Sequence, residues 1–323
     1  MYKRQKGTIS VEKTGEVFFG VNVSGEEDED VIYQPVYKVK GLAGAVYEIT
    51  ADEDVITPDG TLRYHKGDVV DTVTTDEDGT AKSKELYLGK YNVVETKAPT
   101  GMVINKEKHS VELTYAGQDV AVTETATSFV NERQKVKISL EKILEQDEIF
   151  GIGKNNEIKN ISFGLYAKED VVSSSGTVIP ADGLIEIITL DENEAATANT
   201  DLPFGSYYIK EIATDEHYIL SDIQYPFTFK YAGQDTETVE IKVNDGKPIE
   251  NKLIYGSVSG KKIDENGEVL GGALIGIFKA DETEFTKEHA IMTATSEKDG
   301  SFSFAKVPYG KWIVREIEAP EGF

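Results

Sequence analysis

KYNVVETKAPTG, residues 90–101, carries the alternation of a half-buried β-strand and ends it with an acid on the wrong face. Residues two apart in a strand share a face, so Tyr91, Val93 and Glu95 point the same way, toward an apolar interior. The pattern occurs three times: LYLGKYNVVE (86–95), LPFGSYYIKE (202–211) and VPYGKWIVRE (307–316) each give an apolar turn, a glycine and a strand ending in Glu. By the same parity Tyr207 and Ile209 accompany Glu211, and Trp312 and Val314 accompany Glu316.

Working outward, each Glu belongs to an internal repeat, the signature of an array of similar units. GTISVEK (7–13), VKISLEK (136–142) and GSVSGKK (256–262) open the repeats with a strand whose apolar face ends in a lysine: Lys13, Lys142 and Lys262. The first two repeats close on SFVNER (128–133) and PIENKL (248–253), where Asn131 shares a face with Phe129 and Asn251 with Ile249. YAGQD also recurs, at 115–119 and 231–235. The expected units are 1–133, 134–253 and 254–323, the third without a closing strand and its Asn. No Gly/Ser or Pro linker separates them, so the last strand of one unit runs almost directly into the first of the next, an arrangement expected to resist bending. Short alternating segments punctuated by Asp78-Gly79, Asp182-Gly183, Asn266-Gly267 and Asp299-Gly300 predict an all-β chain with a sandwich in each unit. Helical periodicity is weak, and 282–290 is expected to form about one helical turn.

Composition bounds the function. With 58 acidic against 34 basic residues the net charge is −24, which repels phosphate backbones and anionic lipid, so neither nucleic acid nor a membrane surface is an expected partner. No apolar run reaches the roughly 18 residues of a membrane span, and the opening MYKRQKGT has no apolar stretch of a signal peptide behind it. The absence of cysteine removes disulfides, thiolate metal sites and Cys nucleophiles together.

Lys, Glu and Asn on one interior face have two readings. The plain one is a buried ion pair with an amide in support, although such pairs are seldom better than apolar replacements. The other is a reaction. Desolvation favours a neutral amine and a neutral carboxylic acid, a neutral amine is a nucleophile, and an adjacent acid polarises a carboxamide and moves its proton. Attack of the Lys nitrogen on the Asn side-chain carbon then expels ammonia and leaves an isopeptide bond, with proximity supplying much of the rate.

With Lys, Glu and Asn in that order, and with L-G-G-A (270–273), VPYG (307–310) and EIEAPEGF (316–323) most complete in the third repeat, the chain resembles the CnaB-type (SpaA-like, prealbumin-like) domains of Gram-positive surface proteins and pilins. The resemblance covers nearly the whole chain. It implies tandem transthyretin-like or reverse-immunoglobulin β-sandwiches, each with an autocatalytic bond between first and last strands. Carried over, Lys13 bonds to Asn131 with Glu95 as catalytic acid, and Lys142 to Asn251 with Glu211, while Lys262 and Glu316 form an incomplete third site. The second repeat departs from the pattern with EIATDEHY (211–218) in place of the Ala-Pro-x-Gly turn. The implied role is a stalk of a bacterial cell-surface adhesin or pilin-like protein, outside the cell, with neighbouring domains or subunits of the same assembly as partners.

A binding module competes with the stalk. The first repeat has long insertions, including the acidic 25–30 and the segment 58–71, and Tyr33, Tyr37 and Tyr64 on them are candidates for contacting a host extracellular-matrix, cell-surface or polysaccharide ligand, although packing onto their own domain is the expected arrangement. An enzyme with turnover is not expected. The four histidines, His65, His109, His217 and His289, have no metal spacing, and no G-x-S-x-G or complete phosphate loop is present. Asp76–Gly79 and Asp264–Gly267 lack the rest of a calcium loop and read as turns. No cofactor and no metal are expected.

Overall fold

The computed structural model describes residues 5–25 and 31–323; most of the acidic 25–30 insertion lies outside them. The chain is built of short strands, with two 3-10 turns, Glu157–Asn160 and Val243–Gly246, as its helical elements among the described residues. The segment 282–290 is a loop whose hydrogen-bonded turn, Ala290 N–H to the Thr286 carbonyl at 3.1 Å, does not propagate into a helix.

In the first unit two sheets face each other. The Lys6–Ser24 strand runs parallel to Val122–Asn131 and antiparallel to Thr80–Lys82 and Leu86–Tyr87. Opposite lies the sheet of Lys108–Leu113, Gly89–Lys97, Val46–Ala51 and Val69–Thr74. Alternate residues of both sheets, among them Ile9, Val11, Tyr47, Ile49, Tyr91, Val93 and Phe129, fill the space between. The second unit repeats the plan: Lys135–Leu144 runs parallel to Thr238–Lys242 and Ile249–Asn251, over a sheet containing Leu184–Thr189, Ser162–Ala167, Gly205–Ala213 and Gln224–Phe229. In the third, Tyr255–Lys261 pairs with Ser301–Pro308, and Leu274–Lys279 lies between Met292–Thr295 and Trp312–Glu318.

The units are not merely strung together. The first strand overruns its own sandwich and turns back as Ile32–Gly41, a hairpin that lays Phe18, Val21 and Tyr33 against the core of the second unit. Backbone bonds from Ser174 and Ser175 to the Phe18 and Phe19 carbonyls, at 3.1 and 3.0 Å, fasten it there, and Leu184 pairs with Ile32 to make one sheet continuous across the junction. Arg133 completes the clamp. It is buried, forks onto the Asp201 carboxylate and stacks on the Tyr37 ring at 3.6 Å. Tyr33 and Tyr37, candidates for ligand contact expected rather to pack on their own unit, are half-buried against the second unit instead, and Tyr64 packs beside Tyr87 of its own unit. At the next junction Phe150, Ile152, Tyr218 and Leu253 join Ala273, Ile277 and Phe304 in the third core, so the segment after Leu144 serves as packing between units.

Candidate functional site

Each lysine is set by its strand and by the turn beside it. Lys13 donates its backbone N–H to the Gly79 carbonyl at 2.7 Å and accepts from Leu42 N–H at 3.0 Å, so its main chain is held on both sides. Gly79 has φ of +78°, and a Cβ there would lie 2.3 Å from the Lys13 carbonyl oxygen. The third unit uses the same device, Lys262 N–H to the Gly300 carbonyl at 2.8 Å. The second does so without glycine: Lys142 N–H bonds the carbonyl of Glu194, whose φ is +61°. The Asp-Gly signals at 78–79 and 299–300 are therefore lysine clamps, while Asp182-Gly183 sits elsewhere in the second unit, beside Ala167. A non-glycine residue held in left-handed backbone costs about 1–2 kcal/mol. Glu194→Gly relieves that strain but gives the unfolded chain more freedom, worth about 0.4–1 kcal/mol, so a net gain of less than about 1 kcal/mol is expected, read as a slightly higher denaturation midpoint of the second unit.

Each glutamate sits at a β-bulge. Tyr47 pairs with Glu95 and Val46 with Lys97, so Thr96 is the extra residue. The register slips at the same place between Phe163–Glu211 and Ser162–Ala213, and between Ile275–Glu316 and Leu274–Glu318. A bulge bends its strand and re-aims the neighbouring side chain. Here it ends the apolar alternation at the acid. The asparagines arrive on strands parallel to those of the lysines, at one offset: Asn131 pairs with Gly15 and Asn251 with Leu144, each two residues beyond its lysine.

In the first unit these elements bring the expected trio together. Lys13 and Glu95 side chains have no exposed surface, and Lys13 Nζ lies 3.2 Å from Glu95 Oε1. Lys13 Nζ also contacts Asn131 Oδ1, and Asn131 Nδ2 donates to the same Glu95 Oε1 at 3.1 Å. The second carboxylate oxygen accepts Asn105 N–H at 2.7 Å. The Tyr47 and Phe129 rings flank Lys13 Nζ at 5.9 and 5.8 Å, and His109, stacked on Phe129 at 3.9 Å, covers the outside. Burial pushes the Lys13 amine below its usual pKa of 10.5, against the opposing pull of Glu95.

The second site matches. Lys142 Nζ and Glu211 Oε1 are 3.5 Å apart with no side-chain exposure. Asn251 Nδ2 donates to both Glu211 oxygens at 2.9 Å and to Thr214 Oγ1 at 2.9 Å, and Ser221 N–H holds Glu211 Oε2 at 3.0 Å. Burial lowers the Lys142 pKa as well. Asn251 Oδ1 is buried without a hydrogen-bond partner among the described residues, a costly state for a carbonyl. In both sites the carboxylate meets the amide through its nitrogen; polarising the carbonyl, the role expected from sequence, needs the amide turned over. Lys262 and Glu316 pair at 3.0 Å but remain 26% and 34% exposed.

Sequence parity located all three Lys–Glu pairs but missed Thr214, His109 and the bulge. The bulge leaves one mark, the constant E-x-x spacing before the turn. No group of His, Cys, Asp and Glu suited to a metal occurs among the described residues.

No curated protein sequence matches the chain. Among solved structures, the Bacillus anthracis TIE protein superposes with a TM-score of 0.60 at 20% identity, over 97% of this chain and 45% of its own, so this chain spans less than half of that protein. BcpA, the major pilin subunit of Bacillus cereus, aligns at 16% identity over 98% of this chain and 89% of its own, with a TM-score of 0.35. SpaD, a major pilin of Corynebacterium diphtheriae, aligns at 17% identity over 100% and 89%, with a TM-score of 0.29. At 20% identity the likeness to the TIE protein speaks to fold alone. The family model for the SpaA prealbumin-like fold domain matches residues 36–127, 150–247 and 256–323. With most of its length so matched and three like sandwich cores in a row, this chain belongs to the SpaA prealbumin-like domain family, in three tandem copies.

Proposed function

We propose that the chain is a load-bearing stalk segment of a bacterial cell-surface adhesin or pilin-like protein, welded by Lys13–Asn131 and Lys142–Asn251 isopeptide bonds within units 1–133 and 134–253. The observation that carries this reading is one carboxylate oxygen, Glu95 Oε1, lying within 3.2 Å of the attacking nitrogen and 3.1 Å of the leaving one. Burial favours the neutral form of the Lys13 amine, and in that form it attacks the Asn131 side-chain carbon and a C–N bond forms. Its proton passes by way of Glu95 to the amide nitrogen, and the old C–N bond breaks to release ammonia. No oxidant, metal or cofactor is consumed. Glu211 sits in the same relation to Lys142 and Asn251. The reaction occurs once per site, so the chain is not a turnover enzyme.

The mechanical consequence follows from topology. Lysine and asparagine lie on neighbouring parallel strands, one at the start of a unit and one at its end. Tension entering by the first strand leaves by the bond without peeling the sandwich. The interdomain burial of Tyr33 and Tyr37 leaves the host-ligand reading without the surface it expected from them.

Intact-mass measurement tests the bonds: the chain is expected to be lighter than its sequence by two ammonia molecules, and a full mass rejects the reading. The kinetics have a sign. Only the unprotonated amine attacks, and the folded Lys13 and Lys142 pKa values lie below 10.5. For chain recovered unfolded and then refolded, ammonia release is expected to accelerate with rising pH up to the lowered folded pKa and to level off before 10.5. A rate that climbs steadily through 10.5 contradicts an amine activated by burial.

A further inference from the structure

The second site differs from the first at a position outside the crosslinking trio. Three residues beyond the glutamate the first and third units have alanine, Ala98 and Ala319, at the head of the Ala-Pro-x-Gly turn, whereas the second has Thr214, within EIATDEHY. Thr214 follows the Gly205–Ala213 strand and is half-buried. The next residue fastens it in place. Asp215 is buried; its carboxylate accepts from Asn160 Nδ2 at 2.7 Å and from His217 N–H at 3.1 Å, and its backbone carbonyl accepts from Tyr218 N–H at 3.0 Å. The turn that replaces Ala-Pro-x-Gly therefore has its own internal bracing, and it sets the Thr214 hydroxyl beside the Asn251 amide.

Asn251 Nδ2 has three acceptors at one distance: Glu211 Oε1, Glu211 Oε2 and Thr214 Oγ1, each at 2.9 Å. An amide nitrogen carries two hydrogens, so the resting side chain cannot satisfy all three. Ammonia has three hydrogens. Once a proton has come from Lys142 by way of Glu211, the nitrogen of the tetrahedral intermediate carries three as well, and each faces an oxygen. Contacts completed only as the bonds rearrange lower the barrier, whereas contacts already complete in the resting state do not. In the first site Asn131 Nδ2 has one acceptor among the described residues, Glu95 Oε1 at 3.1 Å. The carboxylates are otherwise supported alike, since Asn105 N–H and Ser221 N–H, each ten residues beyond its glutamate, hold the Oε2 atoms. Thr214 is the addition.

We propose that Thr214 is a catalytic residue of the second crosslink, its hydroxyl oxygen receiving one hydrogen of the departing nitrogen while the Glu211 carboxylate receives the other two. This role rests on the isopeptide reading of Lys142 and Asn251. The Lys142 nitrogen bonds the Asn251 side-chain carbon and gives a proton to Glu211, Glu211 passes it to Asn251 Nδ2, and the old C–N bond breaks to release ammonia. Thr214 neither gains nor loses a proton. It keeps the leaving nitrogen turned toward the carboxylate that protonates it.

The whole chain, recovered unfolded, is refolded, sampled over time and digested, and the Lys13–Asn131 and Lys142–Asn251 crosslinked peptides are followed separately by mass. Thr214→Val keeps the shape of the side chain and removes its oxygen, while Thr214→Ser keeps the oxygen. In Thr214→Val the Lys142–Asn251 peptide is expected to form about ten- to a hundredfold more slowly, the loss of one hydrogen bond to a charged leaving group. Thr214→Ser is expected to stay close to the parent rate, and the Lys13–Asn131 peptide to be unchanged in both. Amide protection of the core strand Ser162–Ala167, measured in the same samples, reports folding of the unit. Protection that appears on time with a late crosslink supports the role, and protection delayed as much as the crosslink overturns it. A parent rate in Thr214→Val, or Thr214→Ser as slow as Thr214→Val, also overturns it while the crosslink itself stands. A parent chain that yields no Lys142–Asn251 peptide overturns both.

Discussion

Chain with Glu95→Ala is expected to keep the ammonia of the first site and to lose so much stability that its first unit becomes protease-sensitive near physiological temperature while the second stays intact. Two losses add. The missing crosslink returns entropy to an unfolded loop spanning 118 residues, worth about 4–5 kcal/mol in the chain-entropy model. Removing the acid also leaves Lys13, which has no exposed surface, without a counter-charge, and breaking a buried pair costs about 3–5 kcal/mol. The sum is comparable with the roughly 5–15 kcal/mol that holds an ordinary domain together. Asn131→Ala separates the terms, since it removes the bond but keeps the pair. Its melting temperature is expected to lie between those of the parent and Glu95→Ala. If Glu95→Ala still sheds two ammonia molecules, the carboxylate is not the proton carrier.

The parts of this architecture that depend on alternation were legible in the residues alone. Period-two parity placed Lys13, Glu95 and Asn131 inside and Glu12 outside, because a strand has only two faces and one was plainly apolar. The repeats carried the second site by the same count. What stayed hidden depends on three-dimensional neighbours rather than on period. Nothing in the sequence 16–41 says that it leaves its own sandwich to extend the sheet of the next unit, since a hairpin reads the same wherever it docks. Arg133 looks like a surface cation at a unit boundary, and only the fold brings Asp201 and Tyr37 around it. The third pair was legible in the same way as the others, and in the first unit the strand that carries the asparagine also carries Phe129, whose ring flanks the lysine.

Gly79→Ala is expected to abolish the first crosslink without touching any member of the trio. The residue has φ of +78°, where an alanine pays about 1–2 kcal/mol, but backbone strain is the smaller part. The added methyl would lie 2.3 Å from the Lys13 carbonyl oxygen and 2.6 Å from both Gly41 Cα and Leu42 N. All three are main-chain atoms with no rotamer to escape into, so the strand bearing Lys13 or the turn facing it must move. Both bonds that fix the lysine backbone, Lys13 N–H to Gly79 and Leu42 N–H to Lys13, run through this spot. A near-attack geometry tolerates little displacement, and a shift on the order of 1 Å lowers rates about a hundredfold. Intact mass is therefore expected to show one ammonia lost rather than two, from the second unit alone, with the first unit melting no higher than in Asn131→Ala. Gly60→Ala provides the control, having a similar φ of +78° with nothing within 4 Å of its Cβ position: it carries the backbone strain but not the collision, and is expected to retain both bonds. Two ammonia molecules lost from Gly79→Ala would mean that the lysine finds its asparagine without the clamp.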